Sequence, residues 1–419
     1  MDYKTEIINI APDSNLTIWS AHALLGTKLE PSENVYLKIV KGRIKGIEKN
    51  CPAPETSGKR IGQPVYLFGR SHTLIPSLID AHVHLTLNGV NFRKSERIID
   101  RQGSLAPRVK ADLLSILNCG IGIVRDGGDY RAFNLEIRDQ VERGRTAGPR
   151  VIATGEALRR QNGYGFFLGR GYNKVEEIEL IIDDLCRRKI DQLKVILSGV
   201  VDFDAYGLVE GEQLPRSDLD RIIGAARERG LKVMAHASSA SAVELAVCCG
   251  VDSIEHGYYV TDNLLESMAR KNIAWIPTVI PVAAQVTGPQ FGKVKNSRAV
   301  TIRKIYREQV EKIGKAYSLG VKLGMGTDSG APAVRHGLSL LQEAALYRES
   351  GLPLKSILQA LTVNNASILG LELETGSITQ GSVPYLAAVR GNPLADLKAL
   401  NNIAAHFVPS PAFPAASGI

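Results

Sequence analysis

Cysteine is scarce in this chain, long apolar runs are missing and no basic run occurs, and each shortage removes a class of protein. Its 419 residues include five cysteines, an odd number, two of them adjacent as Cys248 and Cys249. No CxxC pair is present, so neither a zinc knuckle nor a disulfide framework is indicated, and reduced thiols in a cytoplasmic protein are the simplest expectation. No stretch is long and apolar enough to span a membrane. The opening "MDYKTEIINIAPDSN" lacks the charged-then-apolar order of a secretion signal. The net charge of +8 is modest for this length, and its lysines and arginines lie scattered beside acids, as in "AARERG" and "DDLCRRK". Without a basic run interleaved with aromatics, nucleic acid is not expected as a partner. There is no tandem repeat and no low-complexity segment.

What is present has the profile of a soluble globular protein, 44% hydrophobic and 22% charged, with forty glycines for many short loops. The first seventy-odd residues read as β structure. "LTIWSAHALL", "NVYLKIVKGRIKGIEK" and "PVYLFG" are short alternating runs broken by Gly, Pro and Asn. From residue 74 short apolar runs alternate with helical segments such as "VEEIELIIDDLCRRK", "RSDLDRIIGAARERG" and "SAVELAVCCG". Strands are expected near 75–84, 121–126, 150–155, 192–198, 232–237, 253–257, 274–280 and 322–328. Eight is the number that closes an α/β barrel of the TIM type, (β/α)8. After about residue 370, "TGSITQGSVPYLAAVRGNP" returns to β texture, and "PSPAFPAASGI" is expected to be a loose tail. The terminal β segments are each too short to bury a core alone. Residues 1–73 and 372–419 are therefore expected to pair as one small β-sandwich beside a barrel over 74–371.

In such a barrel the chemistry sits at the C-terminal ends of the strands. "SLIDAHVHL" ends its strand in His82 and His84, two residues apart and so on one face. The fourth strand, "QLKVILSG", offers Lys194; the fifth, "KVMAHASS", offers His236; the sixth, "DSIEHGYY", offers His256; the eighth, "KLGMGTDSG", offers Asp328. Singly, each has a bland reading: a histidine bonded in the rim, a lysine reaching for water, an aspartate capping a turn. Together they do not, because four of only eight histidines fall at strand ends on one rim. Four neutral imidazoles and a carboxylate suit zinc or a similar divalent ion. Two ions about 3.5–4 Å apart would use all the donors if something bridged them. A buried lysine loses its proton more readily, and the neutral amine can add carbon dioxide to become a carbamate with two oxygens and a negative charge.

"PSLIDAHVHL", Lys194, "AHAS", "SIEHG" and "GTDSG", in that order, resemble the amidohydrolase superfamily, closest to its binuclear-zinc metallodipeptidase branch of prolidase-like and Xaa-Arg or Xaa-Lys dipeptidases. The resemblance implies that His82 and His84 hold one ion and His236 and His256 the other. Carboxylated Lys194 would bridge them, and Asp328 would bind the first ion while taking a proton from a bridging hydroxide. It implies a hydrolase acting on the amide bond of a small molecule, a dipeptide or N-acyl amino acid, and relatives of this kind often assemble as homo-oligomers. Three departures stand out. The branch's Gly-Gly-His-Gly turn after the third strand corresponds to "QNGYGFFLGRG", with Tyr164 in place of the histidine that contacts the reacting carbonyl oxygen. A phenol can donate to an oxyanion; the other reading is that Tyr164 packs in its loop. Ser77 replaces the usual glycine before "LIDAH", with little consequence expected, and "GSVPYLAAVRGNP" replaces the usual C-terminal motif.

A substrate carboxylate could pair with Tyr258, Tyr259, Arg170, Arg335 or His336, each of which also reads as a loop residue. "VRDGGD" suggests an internal ion pair between Arg125 and Asp126. His22, His72 and His406 lie in the β-rich flanks and receive no role. Two rivals remain. One is a mononuclear deaminase or cyclic amide or lactone hydrolase of the same superfamily, which typically carries a glutamate where this chain has Ser239. The other is an inactive scaffold relative, although all six ligand positions are filled.

Overall fold

The computed structural model describes residues 5–54, 58–60, 63–90, 98–100, 102–209, 211, 214–287 and 296–409. All of the expected tail beyond Pro409 lies outside the described residues. From Leu78 onward the chain alternates strand and helix. Leu78–Val83, Ile121–Asp126 and Arg150–Ala153 form a three-stranded parallel sheet. Leu193–Ile196, Val233–Ala237, Ser253–His256 and Ala274–Ile276 form a four-stranded one. Their residues are buried on both faces, which is why these segments read as unbroken apolar runs rather than alternating ones. Helices Pro107–Asn118, Phe133–Glu142, Glu177–Arg187, Arg216–Glu228, Ala240–Cys249 and Asp262–Lys271 fall between them. The helix Ala240–Cys249 starts where Ser239 Oγ accepts from Ala242 N and ends at left-handed Gly250.

The eighth expected strand differs from the others. Residues 322–328 are extended but bridge regularly only at Leu323. Side chains have taken over part of the ladder: Met325 N donates to Asn365 Oδ1 and Thr327 N to Asp80 Oδ1. Gly326 lies so close to the first strand that a Cβ there would meet the His82 backbone N at 2.7 Å. The segment still bonds both neighbours. Ala81 N donates to Met325 O at 3.0 Å and Asp328 N to His82 O at 2.7 Å, while Gly324 N donates to Trp275 O at 2.9 Å. Likewise Leu158 N donates to Lys194 O and Ile196 N to Leu158 O, linking the two parallel sheets through the segment after the third strand.

The terminal segments share one nine-stranded mixed sheet. Glu6–Ile10 pairs in parallel with Ile403–Pro409, which pairs with Leu386–Arg390, then His72–Pro76, Leu16–Leu25, Glu30–Val40 and Arg43–Glu48. Its buried face has a core of its own, including Ile18, Leu37, Ile39 and Phe407. His72–Pro76 runs through Ser77 directly into Leu78–Val83, so this sheet abuts the first parallel strand. At that junction Ser77 Oγ donates to His406 Nε2 at 2.9 Å, and His406 Nδ1 donates to Leu117 O at 2.8 Å. The five cysteines are unbonded to one another, and no helix among the described residues is long and apolar enough to cross a membrane.

Candidate active site

His82, His84, Lys194, His236, His256 and Asp328 come from four strand ends and the segment 322–328, and all line one cavity of about 520 Å³. The His82 and His84 rings are 5.4 Å apart, His82 and His256 5.1 Å, and His236 and His256 4.4 Å. Asp328 Oδ1 lies 3.4 Å from His84 Nε2 and 3.8 Å from His82 Nε2. The backbone is held in unusual shapes to achieve this. His256, Thr278 and Asp328 all have positive φ, at 68°, 47° and 55°, conformations that persist only where surrounding bonds enforce them. Here Trp275 Nε1 and Gln309 Nε2 both donate to His256 O, and Asp328 N donates to His82 O. Gly127, after the second strand, presses on the same spot. A Cβ there would come within 2.7 Å of His84 Cε1 and 3.3 Å of His82 Nε2.

Each imidazole is fixed by its outer nitrogen. His82 Nδ1 meets Glu255 Oε2 at 2.8 Å, His84 Nδ1 meets Gly128 O at 3.0 Å, and His256 Nδ1 meets Thr278 Oγ1 at 2.6 Å. In His236 the nitrogen so tied is Nε2, 3.1 Å from Gly199 O. Three rings thus present Nε2 inward and one presents Nδ1, the arrangement that metal-binding histidines use to set tautomer and angle. Glu255 is held in turn by buried Arg125, whose Nη2 donates to Oε1 at 2.8 Å. Arg125 also donates to Ala81 O, Gln192 and Ser253. The expected pair of Arg125 with Asp126 does not form. Neighbours in a strand face opposite ways, and Asp126 instead accepts from Leu85 N and Gly128 N.

Burial governs the charges. It pushes His84 and His236 down to about 3 and holds His82 and His256 well below the usual range. It lowers Lys194 to about 8 and raises Asp328 to about 7. The site is therefore a set of neutral imidazoles around a weakened base and a weakened acid. Two of its atoms, His82 Nε2 and Lys194 Nζ, are buried with no hydrogen-bond partner. Leaving such groups bare is costly, and a divalent cation accepts from an imidazole nitrogen what the protein here does not. His82, His84 and Asp328 offer ligand atoms within 4.8 Å of one another. The donor set fits a metal centre.

The amidohydrolase family matches residues 73–409. This chain belongs to that family. As an amidohydrolase it is a hydrolase acting on carbon–nitrogen bonds. The ochratoxinase of Aspergillus niger is 24% identical over 419 residues, spanning 94% of this chain and 85% of its own length. The imidazolonepropionase of Agrobacterium fabrum is 23% identical over 342 residues, 74% of this chain and 73% of its own. A solved Xaa-Pro dipeptidase with bound methionine shares the fold with a TM-score of 0.78 at 24% identity, over 93% of this chain and 97% of that one.

Around the donors this amidohydrolase has a partly apolar mouth. Tyr164 lines it with its ring 5.5 Å from that of His236, and Tyr258 stacks on His256 while its hydroxyl donates to Thr278 O. The other carboxylate-binding candidates lie off the cavity wall. Arg170 pairs with Glu156 and Asp184, and Tyr259 receives Gly207 N. His336 is buried between Ser329 Oγ and Leu87 O, and Arg335 N donates to Ser339 Oγ. Sequence reasoning passed over Glu255, although an acid inside the buried strand "SIEH" was a signal. It also passed over Arg298, which lines the cavity from a helix that no motif marks.

Proposed function

We propose that this amidohydrolase cleaves the amide bond of a dipeptide or N-acyl amino acid with the help of two divalent cations, zinc being suited to the donors. In this reading the seven parallel strands and 322–328 close a (β/α)8 barrel over 74–371, and 1–73 with 372–419 form the smaller β-sandwich. The observation behind it is the convergence of six donors from separate segments on one cavity, two of them buried and bare. His82, His84 and Asp328 would hold one cation, and His236 and His256 the other. Lys194, as its carbamate, would bridge them. Burial favours the uncharged amine; its Nζ bonds to the carbon of carbon dioxide, a proton leaves the nitrogen, and an anionic group with two oxygens results. Cations so held acidify water and polarise a carbonyl oxygen.

The chain's own groups do the rest. Asp328 takes the proton of the attacking water and delivers it to the leaving nitrogen. Tyr164, on the wall beside His236, donates its O–H to the carbonyl oxygen as charge develops there. A second reading, a one-cation hydrolase of a cyclic amide, draws support from the tight trio of His82, His84 and Asp328. Against it, Ser239, which stands where such enzymes carry a glutamate, caps a helix. A metal count per chain separates the two. The main test is a screen of dipeptides and N-acyl amino acids with zinc and bicarbonate supplied. Turnover is expected for the unaltered protein, with losses of about 10²–10⁴-fold for Asp328→Asn and about 10²–10³-fold for Tyr164→Phe. No hydrolysis of any member by the zinc-loaded protein overturns the proposal.

A further inference from the structure

We infer that Arg298 anchors a free α-carboxylate on the leaving half of the substrate, so that the enzyme prefers amides ending in a carboxylate and carrying an apolar acyl part. The inference rests on the amide-hydrolysis reading and concerns the mouth of the same cavity. Arg298 is the third residue of the helix Asn296–Ser318. Ile302 and Ile305, four and seven positions on, share its face. Both are buried in a cluster with Val201, Tyr258 and Val282, the last three on the cavity wall. That face turns Arg298 to the wall, where it and Lys194 are the only lysine or arginine among the described residues.

The guanidinium is placed but not saturated. Its Nη1 donates to Asp204 Oδ2 at 2.5 Å, and the group lies 5.5 Å over the ring of Phe203. Asp204 is 67% exposed and is not part of the cavity lining, so the ion pair holds the arginine from the solvent side. Nε and Nη2 have no partner among the described residues, which leaves donors of the fork for a carboxylate. Asp202, on the wall two residues before Asp204, spends Oδ1 on the N–H groups of Asp204 and Ala205. Phe167, Val201, Phe203 and Val282 make much of the remaining wall apolar, which suits an apolar acyl group.

The test uses N-hexanoyl-leucine and its α-amide, which differ only in the terminal charge. Binding is measured by calorimetry on zinc-loaded protein carrying Asp328→Asn, so that turnover does not interfere, and hydrolysis is followed separately in protein that retains Asp328. The acid is expected to bind about tenfold or more tighter than the amide, the range of a charge-assisted hydrogen bond. Adding Arg298→Met should remove that gap while leaving the amide's affinity within about twofold, and adding Asp204→Asn should keep the gap. Equal binding of acid and amide, a gap that survives Arg298→Met, or a gap lost in Asp204→Asn would each overturn the assignment. A gap with no hydrolysis of any member of the dipeptide and N-acyl amino acid screen sinks the amide-hydrolysis reading and leaves Arg298 as the anchor; hydrolysis without a gap does the reverse.

Discussion

At Lys194 the protein keeps an amine where no hydrogen bond receives it, a choice that costs stability unless binding later uses it. Lys194→Met keeps the length and removes the amine. The metal-free variant should be as stable as the unaltered protein or more so, by about 1–3 kcal/mol in urea denaturation. Elemental analysis should find its metal content reduced from two per chain to one or less. Two tightly held metals in the variant would rule out the bridge. Glu255 poses the opposite case, because it is satisfied three times, by His82 Nδ1, by Arg125 and by the Ser253 hydroxyl. Glu255→Gln strands the buried guanidinium, with an expected loss of about 3–5 kcal/mol, and loosens His82, with an expected fall of about 10–100-fold in metal affinity. Adding Arg125→Met should recover much of the stability and none of the affinity, since only the stranded charge has been relieved.

Among the elements, the strands that were legible are those whose whole run is buried, such as Leu78–Val83 and Val233–Ala237, because burial on both faces writes itself as an apolar run. The segment 322–328 looked equally apolar, yet Asn365 and Asp80 supply bonds that a regular strand would take from its neighbours; nothing local signals partners 40 and 247 residues away. The order of the terminal sheet was illegible for the same reason, since its pairings join residues such as Glu6 and Ala405. The six donors were legible because they stand at strand ends in quotable motifs, whereas Glu255 and Arg298 act through partners the sequence does not place beside them. Ser77 shows the cost of reading a position alone. Its hydroxyl satisfies His406, so restoring glycine there, Ser77→Gly, should destabilise the protein by about 1–3 kcal/mol in urea while metal content stays unchanged. Burial holds His406 down at about 4. A histidine depressed on folding contributes stability above its unfolded value of about 6.5, lost as pH falls toward 4. His406→Gln should therefore flatten part of the acid limb of the stability curve.

Across the whole molecule two sets of buried groups pull against each other as pH falls. His82, His84, His236, His256 and His406 are all depressed, so the unfolded chain binds more protons than the folded one below about pH 6.5, and acid destabilises. Asp80, Asp126 and Asp328 are raised to about 7 and Glu343 to about 8, all by burial. For these the folded chain binds more protons between the unfolded values near 4 and the folded ones, so their contribution is present at low pH and lost as pH rises. The metal-free protein should consequently show a shallow dependence between pH 7 and 4. Metal changes the balance, because its ligands must shed their protons, which makes binding weaken with acid. At a hundredfold excess over its dissociation constant a bound ion adds about 2.7 kcal/mol, and that increment should shrink as Asp328 takes up its proton below about 7, while burial keeps the four imidazoles neutral. Calorimetric melting with zinc and with a chelator, repeated at intervals from pH 7.5 to 4.5, should give two curves that are well separated at the upper end and draw closer toward the lower. A separation that holds constant through that range would mean that Asp328 is not a ligand, because a carboxylate protonated near 7 must give up its proton to hold the ion.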